Sequence, residues 1–334
     1  AAPSLTPHRV AAFRPAAEQT ATRLLASLDG AARIELMADF AHRFSFEAFC
    51  DLFGIESAAR ADLFDWVSLA FSPAGRGRKG RANLDRIERF VTAEVERRLY
   101  QPGDDVLSAI VTAWAPNGEV GKNEVISLCA SLLLAGFETT PQMIGMSVVA
   151  LLTHPDELAW LRADLSRVSA ALDELLRFNT PGPSGTLRVA TEDIDVAGTV
   201  IPAGDRVLLS IDATNHDPAD HEDPHRLNLR RPSAARHITF GLGPHYCPGS
   251  ALARMQLTVA LTALLRRYPY LALATPVEEL PWRGSHLHRG LAGLPLDTGE
   301  RCRADPDHGS GSGRERVAAT TDPPPPGLAT RWSA

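Results

Sequence analysis

Residues 240–249 read FGLGPHYCPG, a loop that brings backbone close around one cysteine, Cys247. Gly241, Gly243 and Gly249 permit backbone angles that other residues resist. Pro244 and Pro248 stiffen the turn and remove competing N–H donors. Residues 250–268 follow with Ala, Leu and Arg at helical spacing, so Cys247 stands just before a helix N-terminus. The helix dipole and free N–H groups there favour thiolate over thiol. No second Cys or His lies at zinc-ligand spacing, which makes the loop a poor zinc site.

A lone thiolate on a glycine-rich loop suits the axial position of haem iron, which needs one strong donor and a flat approach. The pattern formed by Phe240, Gly241, Gly243, His245, Cys247 and Gly249, followed by Leu252, Ala253 and Arg254, resembles the haem-binding signature of the cytochrome P450 family in its soluble bacterial form. A buried core cysteine after a glycine turn is the plainer alternative, but it leaves two further motifs unexplained.

The first lies in residues 123–153, a long apolar helix containing ISLCASLLLAGFETTP. Gly136 and Pro141 weaken its hydrogen-bond ladder. An acid beside a hydroxyl, Glu138 and Thr139, is costly in such a buried helix unless it is used. The stretch resembles the family's oxygen-activating helix. That resemblance implies that Ala135 and Gly136 flank the oxygen site, that Thr139 hydrogen-bonds dioxygen, and that Glu138 helps relay protons, which is general-acid work. Cys129 on the same helix reads as core.

The second motif is LDELLRF at residues 172–178. Glu174 and Arg177, three apart, share one helix face. Taken alone they read as a solvated pair worth little. In context they resemble the family's structural Glu–Arg network, whose third member would be Arg226 in DPHRL. The family prefers aromatic residues where His221 and Leu227 stand, so the match here is partial. The resemblance also implies haem-propionate contacts from Arg188, His237 and His245.

Around these motifs the expected fold is mainly α with a smaller β part, the haem lying between the Glu138 helix and the Cys247 loop. Residues 34–55 are Phe-rich and apolar on one face, with Cys50 read as a core thiol, and predict a helix. Helices are also predicted over 58–71, 83–100, 104–114 and 154–165. Residues 72–80 read as a basic breaker loop. Residues 188–211 alternate as strands with turns at Ala197-Gly198 and at 202–204. Residues 271–296 carry strand-like pieces, with GLAGLPL resembling the family's hairpin into the substrate pocket. Leu132, Ala135, 183–187 and 291–294 would line that pocket, all small or apolar. One haem-thiolate domain is expected over 1–300. Residues 301–334 turn to Gly, Ser, Asp and Pro and are expected to be a disordered tail, with an exposed Cys302. The β-rich lobe, mobile loop and propionate-binding helix that family members carry further upstream are not recognisable in this chain.

The formal net charge of −6 argues against a nucleic-acid partner. The four cysteines are far apart, which is no disulfide framework and points to the cytoplasm. No signal peptide is visible, and no uncharged apolar run reaches the ~18 residues of a membrane span. The chain starts with Ala, so part of a natural N-terminus is expected to be absent. No flavin or nicotinamide fingerprint is present. The expected activity is therefore that of a haem-thiolate monooxygenase with haem b iron. It would insert one oxygen atom from O2 into a small, largely apolar organic molecule such as a secondary metabolite. Electrons would come from a separate ferredoxin and ferredoxin reductase. Three alternatives stand beside it: a non-catalytic relative serving as a partner protein, for example an activator of a glycosyltransferase; a haem protein that uses peroxide; and a fragment that holds no haem.

Overall fold

The computed structural model describes residues 5–71, 77–114, 121–182, 185, 187–232, 234–284 and 289–299. Its elements run α1 (Pro7–Ala12), α2 (Arg14–Ala26), β1 (Arg33–Glu35), α3 (His42–Phe53), α4 (Ser57–Phe71), α5 (Gly77–Tyr100), α6 (Val106–Trp114), α7 (Lys122–Thr153), α8 (Pro155–Arg162) and α9 (Val168–Phe178). Then come β2 (Leu187–Val189), β3 (Ile194–Val196), β4 (Thr199–Ile201), β5 (Arg206–Leu208), α10 (Ile211–Asn215), α11 (Ser250–Arg267), β6 (Ala272–Leu273), β7 (Trp282–Gly284), β8 (Arg289–Leu291) and β9 (Pro295–Asp297).

The hub is α7. It packs against α3, α5, α6 and α11, and at its C-terminal half against β8. This follows from its composition: residues 140–151 are buried on every side, as expected of a helix that is apolar all round. Pro141 has no N–H and so takes the usual partner from the Phe137 carbonyl, yet α7 continues through it as one helix. The neighbours enclosing it make up the loss.

Residues 34–55, predicted as one helix, divide into three pieces. Residues 33–35 form β1 and pair antiparallel with β9, Ile34 opposite Leu296. A π-helical turn spans Met37–Ala41, and α3 follows. Tertiary pairing overrides helix periodicity here because it buries both Ile34 and Leu296, 3 % and 0 % exposed. The Glu35 carboxylate fixes the switch by accepting the N–H groups of Ala38 at 2.6 Å and of Leu294. Helix α5 likewise starts earlier than predicted, at Gly77. The Asn83 side chain donates to the Trp66 carbonyl and ties α5 to α4.

The β part is four small antiparallel pieces: β1-β9-β6, β2-β5, β3-β4 and β7-β8. The turn joining β3 and β4 uses Ala197 at φ +52° and Gly198 at φ +85°, two consecutive left-handed residues as a tight hairpin requires. Residues 301–334, and with them the expected tail and Cys302, lie outside the described residues. Among the described residues no helix is long and apolar enough to cross a membrane.

Candidate active site

Cys247 sits on a curled loop whose shape comes from its own backbone. Gly241 N–H donates to the Ile238 carbonyl at 2.8 Å, Tyr246 N–H to Gly243 at 3.0 Å, and Cys247 N–H to Phe240 at 2.8 Å. Gly241 and Gly243 stand at φ +74° and +73°, where a side chain would be strained. The loop presents apolar surface outward: Leu242 is 72 % exposed and Tyr246 49 %. Cys247 lies three residues before α11, and α11 packs on α7.

Burial pushes the Cys247 thiol above its ordinary value, and a hydrogen bond from the Gly249 N–H opposes this only in part. Taking the sulfur out of water disfavours its charged form, and hydrogen bonding to the sulfur favours it. A metal ion at Sγ would remove the proton outright.

Helix α9 anchors both arms of the loop. Thr239 Oγ1 donates to the Leu176 carbonyl at 2.7 Å and accepts from Asn215 Nδ2 at 2.9 Å. Asp173 pairs with Arg254 at 2.6 Å. The Arg254 guanidinium lies over the Phe240 ring, 5.3 Å from its centroid, a cation–π contact.

Glu174 and Arg177 form a buried fork, with Nε to Oε2 at 2.7 Å and the second nitrogen to Oε1 at 2.9 Å. The third member is Arg231, whose Nε lies 3.1 Å from both Glu174 oxygens. The expected Arg226 has an exposed side chain and lends only its carbonyl, which accepts from Arg231 at 2.7 Å. The reason is chain direction: the turn at Asp223–Arg226 wraps around the Arg231 guanidinium, which also takes the Asp223 carbonyl at 3.0 Å. Arg177 binds the carbonyls of Asn215 and Pro224 at 2.8 and 2.9 Å. The polar meander 215–231 is thereby tied to α9.

On α7, the predicted residues separate by face. Ala135 is exposed and Thr139 half-buried. They are one helical turn apart, and Thr139 Oγ1 donates to the Ala135 carbonyl at 2.8 Å. Leu132, half-buried, lies near them on the less covered N-terminal half of α7. Gly136 faces elsewhere: a Cβ there would lie 3.1 Å from the Phe49 ring of α3. That close approach packs α7 on α3. Glu138 is buried and turned toward β7, where it pairs with Arg283 and accepts from Gln142 Nε2 at 3.0 Å. Burial raises its pKa above the ordinary carboxylate value, opposed by Arg283 and Gln142. Among the described residues no hydrogen bond joins Glu138 to Thr139.

Of the three propionate candidates, Arg188 and His245 are exposed. His237 is committed to protein. Its Nδ1 accepts the Thr239 N–H at 3.1 Å, and Nε2 faces Asp173 at 3.5 Å. It braces the Cys247 loop against α9. Of the pocket positions, 183, 184 and 186 lie outside the described residues, and Leu187 is exposed. Leu291 and Leu294 are fully buried, core residues under β8 and β9. Sequence reasoning missed Gln142, although its spacing of four from Glu138 on one helix was a usable signal. Arg283, Arg231 and Asp173 carried no local signal.

The cytochrome P450 family model matches residues 45–282. The chain is 37% identical to 6-deoxyerythronolide B hydroxylase of Saccharopolyspora erythraea, over 87% of this chain and 72% of that protein. It is 38% identical to pentalenic acid synthase of Streptomyces avermitilis, over 88% and 73%. The LnmA cytochrome P450 hydroxylase from the leinamycin pathway of Streptomyces atroolivaceus superposes with a TM-score of 0.82 at 32% identity, covering 88% of this chain and 76% of that one. The chain belongs to the cytochrome P450 family. It is a P450 monooxygenase, spanning about three quarters of the length of these relatives.

The family implies haem iron, and the residues fit it. The donor set is one sulfur, on a loop whose apolar residues face outward. The open Ala135–Thr139 stripe lies on the helix that α11 packs against.

Proposed function

We propose that this chain holds haem b through Cys247 and inserts one oxygen atom from O2 into a small, largely apolar secondary metabolite. The observation that carries this is the Cys247 loop, braced from α9, together with the open stripe of α7. Haem, when bound, supplies the oxygen activation, and a thiolate ligand favours O–O cleavage. Arg188 and His245 are the residues we assign to its propionates, because a guanidinium fork suits a carboxylate. Thr139 Oγ1 gives its own hydrogen to Ala135, so its lone pairs are available to accept a hydrogen bond on the open face. Glu138 is the buried acid that restores protons there. Relatives named for 6-deoxyerythronolide B and pentalenic acid support a secondary metabolite as substrate. Electrons come from a ferredoxin and its reductase, in the cytoplasm.

The test is the absorption spectrum of the dithionite-reduced protein under carbon monoxide. A strongly red-shifted Soret band is expected, and it should vanish in Cys247→Ala. A neutral-ligand band would overturn the thiolate assignment. Absence of haem would favour a partner protein or a fragment over an enzyme.

A further inference from the structure

The acid of α7 is held by a side-chain cluster that belongs to another part of the chain. Strands β7 and β8 form a hairpin in which Arg283 lies opposite Gly290 and Trp282 opposite Leu291. Gln142, one turn beyond Glu138, docks on this hairpin with both amide atoms. Its Oε1 accepts the Leu291 N–H at 2.6 Å, and its Nε2 donates to the Leu291 carbonyl at 3.2 Å. A backbone donor and a backbone acceptor on the same residue fix the orientation of that amide. Gly290 makes the docking possible, since a Cβ there would fall 2.3 Å from Gln142 Oε1. The same Nε2 reaches Glu138 Oε1 at 3.0 Å, and Arg283 donates to that same oxygen. Among the described residues, Oε2 accepts no hydrogen bond. His42 faces this cluster from α3: Arg283 acts on it electrostatically and its ring lies 5.8 Å from that of Phe137. Burial, then Arg283, push its pKa down to about 4. His42 is therefore neutral, and Arg283 is the cation that answers the Glu138 carboxylate.

We propose that Arg283 is the positioning residue of Glu138: with Gln142 it fixes Oε1 and leaves Oε2 as the oxygen through which the acid exchanges its proton. Oε2 takes a proton from water and releases it toward the Thr139 side, and the carboxylate that remains is again held by Arg283. This rests on the reading of Glu138 as the site's proton donor. The acid is thus set by the C-terminal hairpin, whose main chain orients Gln142 and whose strand β7 carries the arginine.

The test uses the full chain with haem, comparing Arg283→Gln, Arg283→Lys, Glu138→Gln and the double variant Arg283→Gln/Glu138→Gln. Two readouts are taken. The first is product formed per reducing equivalent. Arg283→Gln should lower it about tenfold, less than the ~100-fold or more that general acids contribute, because the acid itself remains. Substrate affinity from the spectral shift should not change. Arg283→Lys should recover most of the coupling, and adding Arg283→Gln to Glu138→Gln should cost nothing further. The second readout needs no turnover: the protonated-carboxyl infrared band of Glu138 in the resting protein. It should rise in Arg283→Gln, where only Gln142 still opposes burial, and disappear in the double variant. An equal loss of coupling in the Glu138→Gln background, or no new band in Arg283→Gln, would overturn the proposal. If Arg283→Gln does not fold, folded Arg283→Lys decides: near-normal coupling supports the proposal and a collapse overturns it. A missing red-shifted carbon monoxide band would sink the functional reading instead, while the infrared result would still decide the place of Arg283.

Discussion

Arg231 Nε lies 3.1 Å from both carboxylate oxygens of Glu174, and this contact closes the buried network that ties the meander 215–231 to α9. Glu174 is 1 % exposed and Arg231 9 %. Arg231→Ala removes one partner of a buried charge and should cost about 3–5 kcal/mol. Arg226→Ala should stay within about 0.5 kcal/mol, as for a surface change. Denaturant unfolding of the two variants measures the difference. Equal effects would mean that the network does not close through Arg231.

Gly136→Ala tests the packing of α7 on α3. Alanine gains about 1 kcal/mol of helix propensity over glycine. Against this, the new Cβ meets Phe49 at 3.1 and 3.3 Å. Phe49 is itself stacked on Phe53, with ring centroids 3.9 Å apart, so it cannot retreat freely. Overpacking of ~1–3 kcal/mol should win. The variant is expected to melt lower, and Phe49→Leu should restore it.

Thr139→Ala should separate electron use from product. Its hydroxyl is on the open face and, among the described residues, bonds only the carbonyl one turn back, so the fold should hold. Reducing equivalents would be consumed at a similar rate while product falls and peroxide rises. Unchanged coupling would remove Thr139 from the proton route.

The buried thiols give a pH prediction. Burial pushes Cys50 up to about 12 and Cys129 up to about 11. Both stay protonated near neutral pH, and the thiolate is the nucleophile. Alkylating reagents should therefore spare both in the native protein and label them only with denaturant. Native labelling of either, mapped by mass spectrometry, would contradict their place in the core.

Glu138 gives a second. Its folded value is raised above the ordinary 4.5, first by burial. The folded state then holds a proton that the unfolded chain has released, so stability declines as pH rises from about 4.5 toward the folded value. Glu138→Gln should flatten that decline in pH-dependent unfolding curves.

Much of the site was legible before any coordinates. The FGLGPHYCPG loop, the acid–threonine pair and the Glu174–Arg177 spacing are local signals, and glycine, proline and i, i+3 geometry act over a few residues. Legibility ended where a side chain's partner lay far along the chain. Arg283 meets Glu138 across 145 residues, and nothing near WRG says so. For Gly136 and His237 the sequence marks a special position, but only packing shows the neighbours, Phe49 and Thr239.

The mainly helical class, an apolar helix within residues 123–153 and the loop that carries Cys247 are legible in the chain alone. These follow from periodicity and from backbone angles that few residues tolerate. It took the folded chain to make residues 33–35 a strand, to complete the Glu174 network with Arg231, and to turn Glu138 toward the hairpin. Each depends on desolvation or on a partner brought from elsewhere in the chain, and burial exists only once the whole chain has folded around the group.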